Sequence, residues 1–256
     1  MAAVHDRPPA AAPLLDTAVL FVGLLAGWQM LSLLAGAQVL TPPLATLQRL
    51  GQLMAGPDFA GHAIETGSAF IVALAISLAG GLVAGAALGA HRLSGEVAEP
   101  LLVGFYSIPK ITLYPVVLLL FGLGLSAKIA FGAIHGIVPV ILFTMNAVRS
   151  IPQSYLRAAR SMRLTAWQTF AHVLVPATLP EIVTGFRLGF ALTLLGTLIG
   201  EMFASQRGIG YMLVRAMETG DTGTVMALAL LLVVLATAAS AALLRLDRRL
   251  HRVSTP

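Results

Sequence analysis

Six separate apolar runs, each near the roughly 20 residues that a helix needs to cross a bilayer, constrain this sequence more than any other feature. They lie near Thr17–Ala35, Thr66–Ala90, Leu101–Leu123, Ile129–Ala147, Ile182–Ala204 and Thr224–Leu244. The runs are continuous and rich in Leu, Ala and Gly, without the period-2 alternation that a membrane barrel requires. Composition closes the remaining routes. The chain is 57% apolar and 11% charged over 256 residues, whereas soluble domains are about 45–50% apolar and about 25% charged. A soluble fold could not hide that much apolar surface, and a disordered chain would not contain it. The fold class expected is an all-α polytopic membrane protein with six transmembrane helices.

Cysteine is absent, so disulfides, thiolate metal sites and thiol nucleophiles are excluded. No metal or cofactor is expected on this chain. The formal charge of +5 is read as a topology signal rather than as a nucleic-acid surface. With the N-terminus inside, 11 of the 16 basic residues fall on inside segments, as the positive-inside rule favours. The chain is therefore expected to be N-in and C-in. Residues 1–16 read as a cytoplasmic tail, 17–244 as one transmembrane domain, and 245–256 as a basic cytoplasmic tail that holds the last span against the headgroups. Arg7, the first apolar run and Ala35-Gly36-Ala37 have the layout of a cleavable signal peptide. The run is long for one, and it is read as a retained span.

Two connecting segments carry structure of their own. In 41–65, Pro42-Pro43 stops the first span and Leu44, Leu47, Leu50 and Met54 recur at helical spacing. A short surface helix is expected there, ended by Gly56-Pro57. The longest inside segment, 149–181, is the more informative. A helix is expected over Ser154–Met162. Thr165-Ala166-Trp167-Gln168 fits a capping box, so a second short helix begins there and runs to about Leu174. Pro176 and Pro180 are expected to keep it from continuing into the fifth span, with Pro180 the first residue of that span. The result is a basic helix–turn–helix elbow carrying Arg149, Arg157, Arg160 and Arg163, with no acid before Glu181.

This elbow resembles the cytoplasmic coupling loop of binding-protein-dependent ABC importer permeases. Arg157-Ala158-Ala159 stands where that family has Glu-Ala-Ala, Arg163 where it has glycine, and Val173-Leu174-Val175-Pro176 where it ends in Ile-x-Leu-Pro. The alanines, the proline and the spacing match; the Glu and the Gly do not. Residues 96–126, Gly200-Glu201-Met202 with Gly208-Ile209-Gly210-Tyr211, and Leu40-Thr41-Pro42-Pro43 resemble the nitrate/sulfonate/taurine branch, and together the likeness covers about residues 15–245. The resemblance implies a permease subunit working as a homodimer in a bacterial inner membrane. It implies two ABC ATPase subunits that use ATP and Mg, and an extracytoplasmic substrate-binding protein. Arg157, Ala158, Ala159, Arg160, Arg163, Leu164, Thr165 and Pro176 are the residues it implies in ATPase coupling. The turn glycine's replacement implies either strain at Arg163 or a different turn. Reversed charge at Arg157 implies either a partner with a more acidic groove rim or weaker coupling.

No catalytic constellation is present. The two lysines, Lys110 and Lys128, lack the context of a phosphate-binding loop, so ATP hydrolysis is assigned to a separate chain. No close carboxylate pair is expected inside a span. Charges within a membrane tend to face protein or water, which makes Lys110, between Pro109 and Pro115, a candidate for the translocation path of a small anion. His135 and Glu201 are further path candidates. Packing is the competing reading for His135, and pairing with Arg207 or Arg215 for Glu201. Gly81, Gly85 and Gly89, with Gly196 and Gly200, are expected to permit close helix contact. A gradient-driven secondary transporter is the alternative function, and a membrane scaffold the next. The small number of ionisable residues inside the spans weighs against the first, and it would leave the elbow without purpose.

Overall fold

The computed structural model describes residues 12–254, and every regular element among them is helical. In chain order these are α1 (Ala12–Ala35), α2 (Pro43–Ala55), α3 (Phe59–Ala90), α4 (Arg92–Ser107), a 3₁₀ turn (Lys110–Leu113) and α5 (Tyr114–Phe121). They continue with α6 (Leu125–Arg149), α7 (Gln153–Ser161), α8 (Ala166–Thr169), a π turn (Phe170–Leu174), α9 (Val175–Ala204), α10 (Ile209–Glu218) and α11 (Thr222–Ser254). Among the described residues, five helices are long and apolar enough to cross a membrane, or six if the bent pair α4 and α5 counts as one span. The first eleven residues of the expected N-terminal tail lie outside the described residues, and the chain is helical from Ala12. At the other end α11 runs to Ser254, while the arginine side chains at 248, 249 and 252 lie outside the described residues.

Two compact units divide the chain. The first contains α1, α2 and residues 215–231. On α1, Val19, Leu20, Phe21, Val22 and Leu24 are each about two-thirds exposed, which only lipid or another protein can solvate. The indole of Trp28 donates to Thr41 O (3.0 Å) and the hydroxyl of Ser32 to Leu40 O (2.7 Å), fixing the turn that follows α1. The expected surface helix is α2, which leaves Leu44, Leu47 and Met54 exposed. Arg49 on α2 pairs with Asp221 at 2.7 Å.

The second unit is built on α3, α6 and α9, with α6 between the other two. The glycine stripe on α3 is what brings α6 close. A Cβ at Gly81 would stand 2.6 Å from Val140, and one at Gly85 would stand 2.6 Å from Thr144. Neither position can carry a side chain unless the helices part. Gly196 faces His135, and Gly200 faces the backbone of Lys128. Phe131, Val140 and Met145 of α6 are fully buried.

Three sequence expectations are corrected here. The second span starts at Phe59 rather than Thr66, because His62, Glu65 and Thr66 all find partners and the helix can extend beyond the apolar run. The third span is not one helix. Pro109 sits between α4 and the 3₁₀ turn, and the two halves meet at 89°. Pro115 lies in the first turn of α5, so it starts a helix rather than breaking one. Finally, Pro176 and Pro180 do not separate the elbow from the fifth span. The backbone from Ala166 to Phe203 is continuous helix. The π turn accounts for this. The N–H of Val175 bonds Phe170 O, five residues back, and Pro176 enters in the first turn of α9. The wider turn spares the carbonyl that a proline ring would meet in a regular helix. Pro180 lies within α9.

Candidate functional site

Two places on the second unit concentrate the residues of interest, one at each end of α9. The first is the elbow. Helix α7 closes on a turn in which Leu164 N–H bonds Ala159 O and Arg163 N–H bonds Arg160 O, both at 3.0 Å. This is a Schellman closure, whose residue after the cap is normally glycine because φ there is positive. Here that residue is Arg163, with φ +50°. Of the two sequence expectations for Arg163, the strained turn is therefore the one adopted. The capping box expected at Thr165 is formed. The Thr165 hydroxyl accepts from Gln168 N–H at 3.3 Å, and Gln168 Oε1 accepts from Thr165 N–H at 2.9 Å. Arg157, Ala158, Arg160 and Arg163 are exposed, as are Met162 and Trp167, each 72% exposed. Leu164 is half-buried, and Pro176 stands beyond the π turn. The two alanines differ. Ala158 is open, but Ala159 is 3% exposed and already covered within the chain.

The second place is the opposite end of α9. Glu201 is fully buried, and its partners are not Arg207 or Arg215 side chains. The Thr66 hydroxyl donates to its carboxylate, 2.9 Å from either oxygen, and Gly210 N–H donates at 3.0 Å. Lys128, 1% exposed, approaches it at 3.8 Å and pairs with Glu65 at 2.9 Å. The same ammonium donates to Arg207 O at 2.9 Å. Two carboxylates, from different helices, thus share one lysine. The loop after α9 is stitched to this cluster. Ile209 N–H donates to the Thr66 hydroxyl at 2.8 Å and Gly208 N–H to His62 Nδ1 at 3.0 Å. Gly208 has φ +119°, and a Cβ there would collide with the Glu201 carboxylate. Tyr114 adds a hydrogen bond from its hydroxyl to Gly200 O at 3.0 Å. A cavity of about 530 Å³ opens beside the cluster, lined by Glu65, Lys128, Phe203, Gln206 and Arg207 among others.

The remaining path candidates do not converge with Glu201. Lys110 stands at the 89° break, where its ammonium donates to Tyr106 O at 3.1 Å and lies 4.7 Å from the Tyr106 ring centre. Pro109 and Pro115 flank it. His135 is buried between Phe131 and Gly196, its Nδ1 hydrogen-bonded to Phe131 O at 2.8 Å.

Sequence reasoning missed Glu65, Thr66 and Lys128 as partners. Lys128 stands one residue before an apolar run, and Glu65 one residue before another, so both read as edge charges facing water. One signal was available. The segments Gly200-Glu201-Met202 and Gly208-Ile209-Gly210-Tyr211 carry the same resemblance in the sequence, and they meet through Gly210 N–H and Glu201.

Comparison with known proteins agrees over most of the chain. Residues 77–252 match the family described as binding-protein-dependent transport system inner membrane component. The formylaminopyrimidine transport permease protein ThiX of Halalkalibacterium halodurans is 27% identical over 81% of this chain and 83% of its own length. The nitrate import permease protein NrtB of Leptolyngbya laminosa is 28% identical over 82% and 78%. The taurine transport system permease protein TauC of Escherichia coli is 28% identical, with the same coverage. Among solved structures, a chain of the MetNI methionine ABC transporter in inward facing conformations superposes with a TM-score of 0.52 at 23% identity. It covers 73% of this chain and 91% of that one, and supports the fold.

Proposed function

Because the chain belongs to the inner membrane components of binding-protein-dependent transport systems, and is a permease subunit of an ABC importer, we propose that two copies form the path for a small anion. Nitrate, a sulfonate or a taurine-like compound is the substrate class. Two ABC ATPase subunits, using ATP and Mg, drive the cycle, and an extracytoplasmic binding protein delivers the solute. The chain lies in a bacterial inner membrane with both termini in the cytoplasm. The elbow then faces the ATPases, and the Glu201 cluster faces the opposite side.

One observation carries the assembly reading. The elbow is a closed, capped structure continuous with a membrane-crossing helix. A force applied to it is delivered to the span rather than lost in a flexible loop. Small Ala158, exposed at its surface, allows another protein to approach closely. For the substrate, relatives bearing nitrate and taurine in their names favour an anion. So does Lys110, which among the described residues makes no ion pair and stands where a broken span frees backbone groups to line a path.

The test is a mild-detergent pull-down from the native membrane, followed by uptake in vesicles rebuilt with the recovered partners. Wild type should bring down an ATP-binding chain, and Ala158→Asp should lose it while staying folded. Ala158 is preferred to Ala159, whose substitution would disturb the elbow itself. Lys110→Ala should leave the complex assembled and lower anion uptake at least tenfold. Unchanged uptake would make Lys110 a cap for α4 and nothing more. Uptake of a neutral pyrimidine in place of every anion tested would overturn the substrate class.

A further inference from the structure

The elbow's charge is unbalanced, and the imbalance is confined to its exposed surface. No Asp or Glu occurs between Arg149 and Pro180. Arg149 is answered by Glu99 at 2.7 Å and Arg92 by Glu96 at 2.8 Å. Among the described residues, Arg157, Arg160 and Arg163 have no carboxylate within ion-pair distance. Arg157 and Arg160 are three apart on one helix, where like charges repel, and Arg163 holds a positive φ. Within this chain Arg160 gains a hydrogen bond from its Nε to Leu156 O at 3.3 Å and a favourable place in the last turn of α7, but none of the three charges is neutralised by a carboxylate among the described residues. The two hydrogen bonds of the Schellman turn and the two of the capping box show that these costs do not open the elbow. A loosened turn is therefore not the explanation of its composition.

We propose that these guanidiniums are recognition groups, and that the ATPase cleft receiving the elbow has an acidic rim with carboxylates opposite Arg157, Arg160 and Arg163. The proposal rests on the importer reading and names the chemistry of its partner. Exposed Met162 and Trp167 supply apolar surface of the kind a docking face needs, on the same elbow as three exposed arginines of one sign. Arginine is suited to the task because its planar fork meets a carboxylate with two parallel hydrogen bonds. An ATPase with a basic rim would be repelled by the same charges, so the arrangement selects a partner as well as binding one.

The experiment uses the whole complex in mild detergent. The probe is the ATP-binding chain that co-purifies with the permease. Its retention is measured from low to high salt for wild type, Arg157→Glu, Arg160→Glu and Arg157→Lys. The expected result is a steep loss of wild-type retention with salt, and a loss of roughly tenfold or more for each reversal, as removed interfacial charge pairs give. Arg157→Lys should retain the partner and, with a carbodiimide, form a zero-length cross-link to one of its carboxylates. Retention that ignores both salt and charge reversal would overturn the acidic rim while leaving the importer reading intact. So would a loss of co-purified anionic lipid with the ATPase still bound, since the arginines would then face headgroups. Wild type recovered without any ATP-binding chain would remove the importer reading, and the proposal with it.

Discussion

The two ends of α9 treat charge in opposite ways. At the C-terminal end, Glu201 and Lys128 are buried, and each finds its partners within the chain. At the other end, beyond the π turn, three arginines stand exposed without a counter-charge. The difference follows from solvation. A charge sealed inside apolar helices must be answered by its own chain, because an uncompensated ion there costs several kcal/mol. A charge left in water carries no such penalty and remains free for another molecule. Stability is thus the natural reading of the first group, and recognition that of the second.

Substitutions separate the two readings. The largest effect is expected for Lys128→Met, which leaves Glu65 and Glu201 facing each other without a cation. It should cost about 3–5 kcal/mol, seen as a large drop in thermal unfolding temperature in detergent. Glu201→Gln keeps an acceptor for Gly210 N–H but removes charge, and should cost about 1–3 kcal/mol. If either variant unfolds like wild type, the cluster is not structural and the contrast collapses. Arg163→Gly relieves the left-handed conformation and should stabilise the protein by about 1 kcal/mol, yet weaken retention of the ATPase. A stability gain without that loss would detach Arg163 from recognition.

Asp221 supplies an intermediate case. The Thr224 hydroxyl, then its backbone N–H and the Arg49 guanidinium, hold this carboxyl below its ordinary value. Its contribution is therefore present above the ordinary carboxylate pKa and is lost as pH falls through the lowered one. Asp221→Asn should destabilise by less than about 1 kcal/mol at neutral pH, the pair being partly exposed. The difference from wild type should vanish in acid. Smallest of all, Arg157→Ala and Arg160→Ala should change unfolding by no more than about 0.5 kcal/mol. A larger loss would make them part of the elbow's own fold.

Local rules explain what was legible beforehand. Apolar runs mark spans because a bilayer admits little else, and Thr165 with Gln168 marks a helix start because the capping bonds span three residues. The strain at Arg163 was legible only as one of two alternatives, and only through the resemblance to a family with glycine at that turn. The Glu65–Lys128–Glu201 cluster was not legible. Its members are 63 and 73 residues apart; Glu65 and Lys128 look like ordinary edge charges, and Glu201 inside its span names no partner, until three helices pack. The prolines of α9 misled because a π turn leaves no mark in composition, and without one Pro176 reads as a stop.

That turn has a geometric consequence. An α-helix advances about 100° per residue, so one residue inserted by the widened turn at Phe170–Leu174 works like a slipped thread on a screw. The elbow is clocked by that angle relative to the bearing it would take on an unbroken helix. The bearing of the elbow, and with it the direction in which Arg157 and Arg160 point, thus depends on a single extra residue as well as on the turn at Arg163.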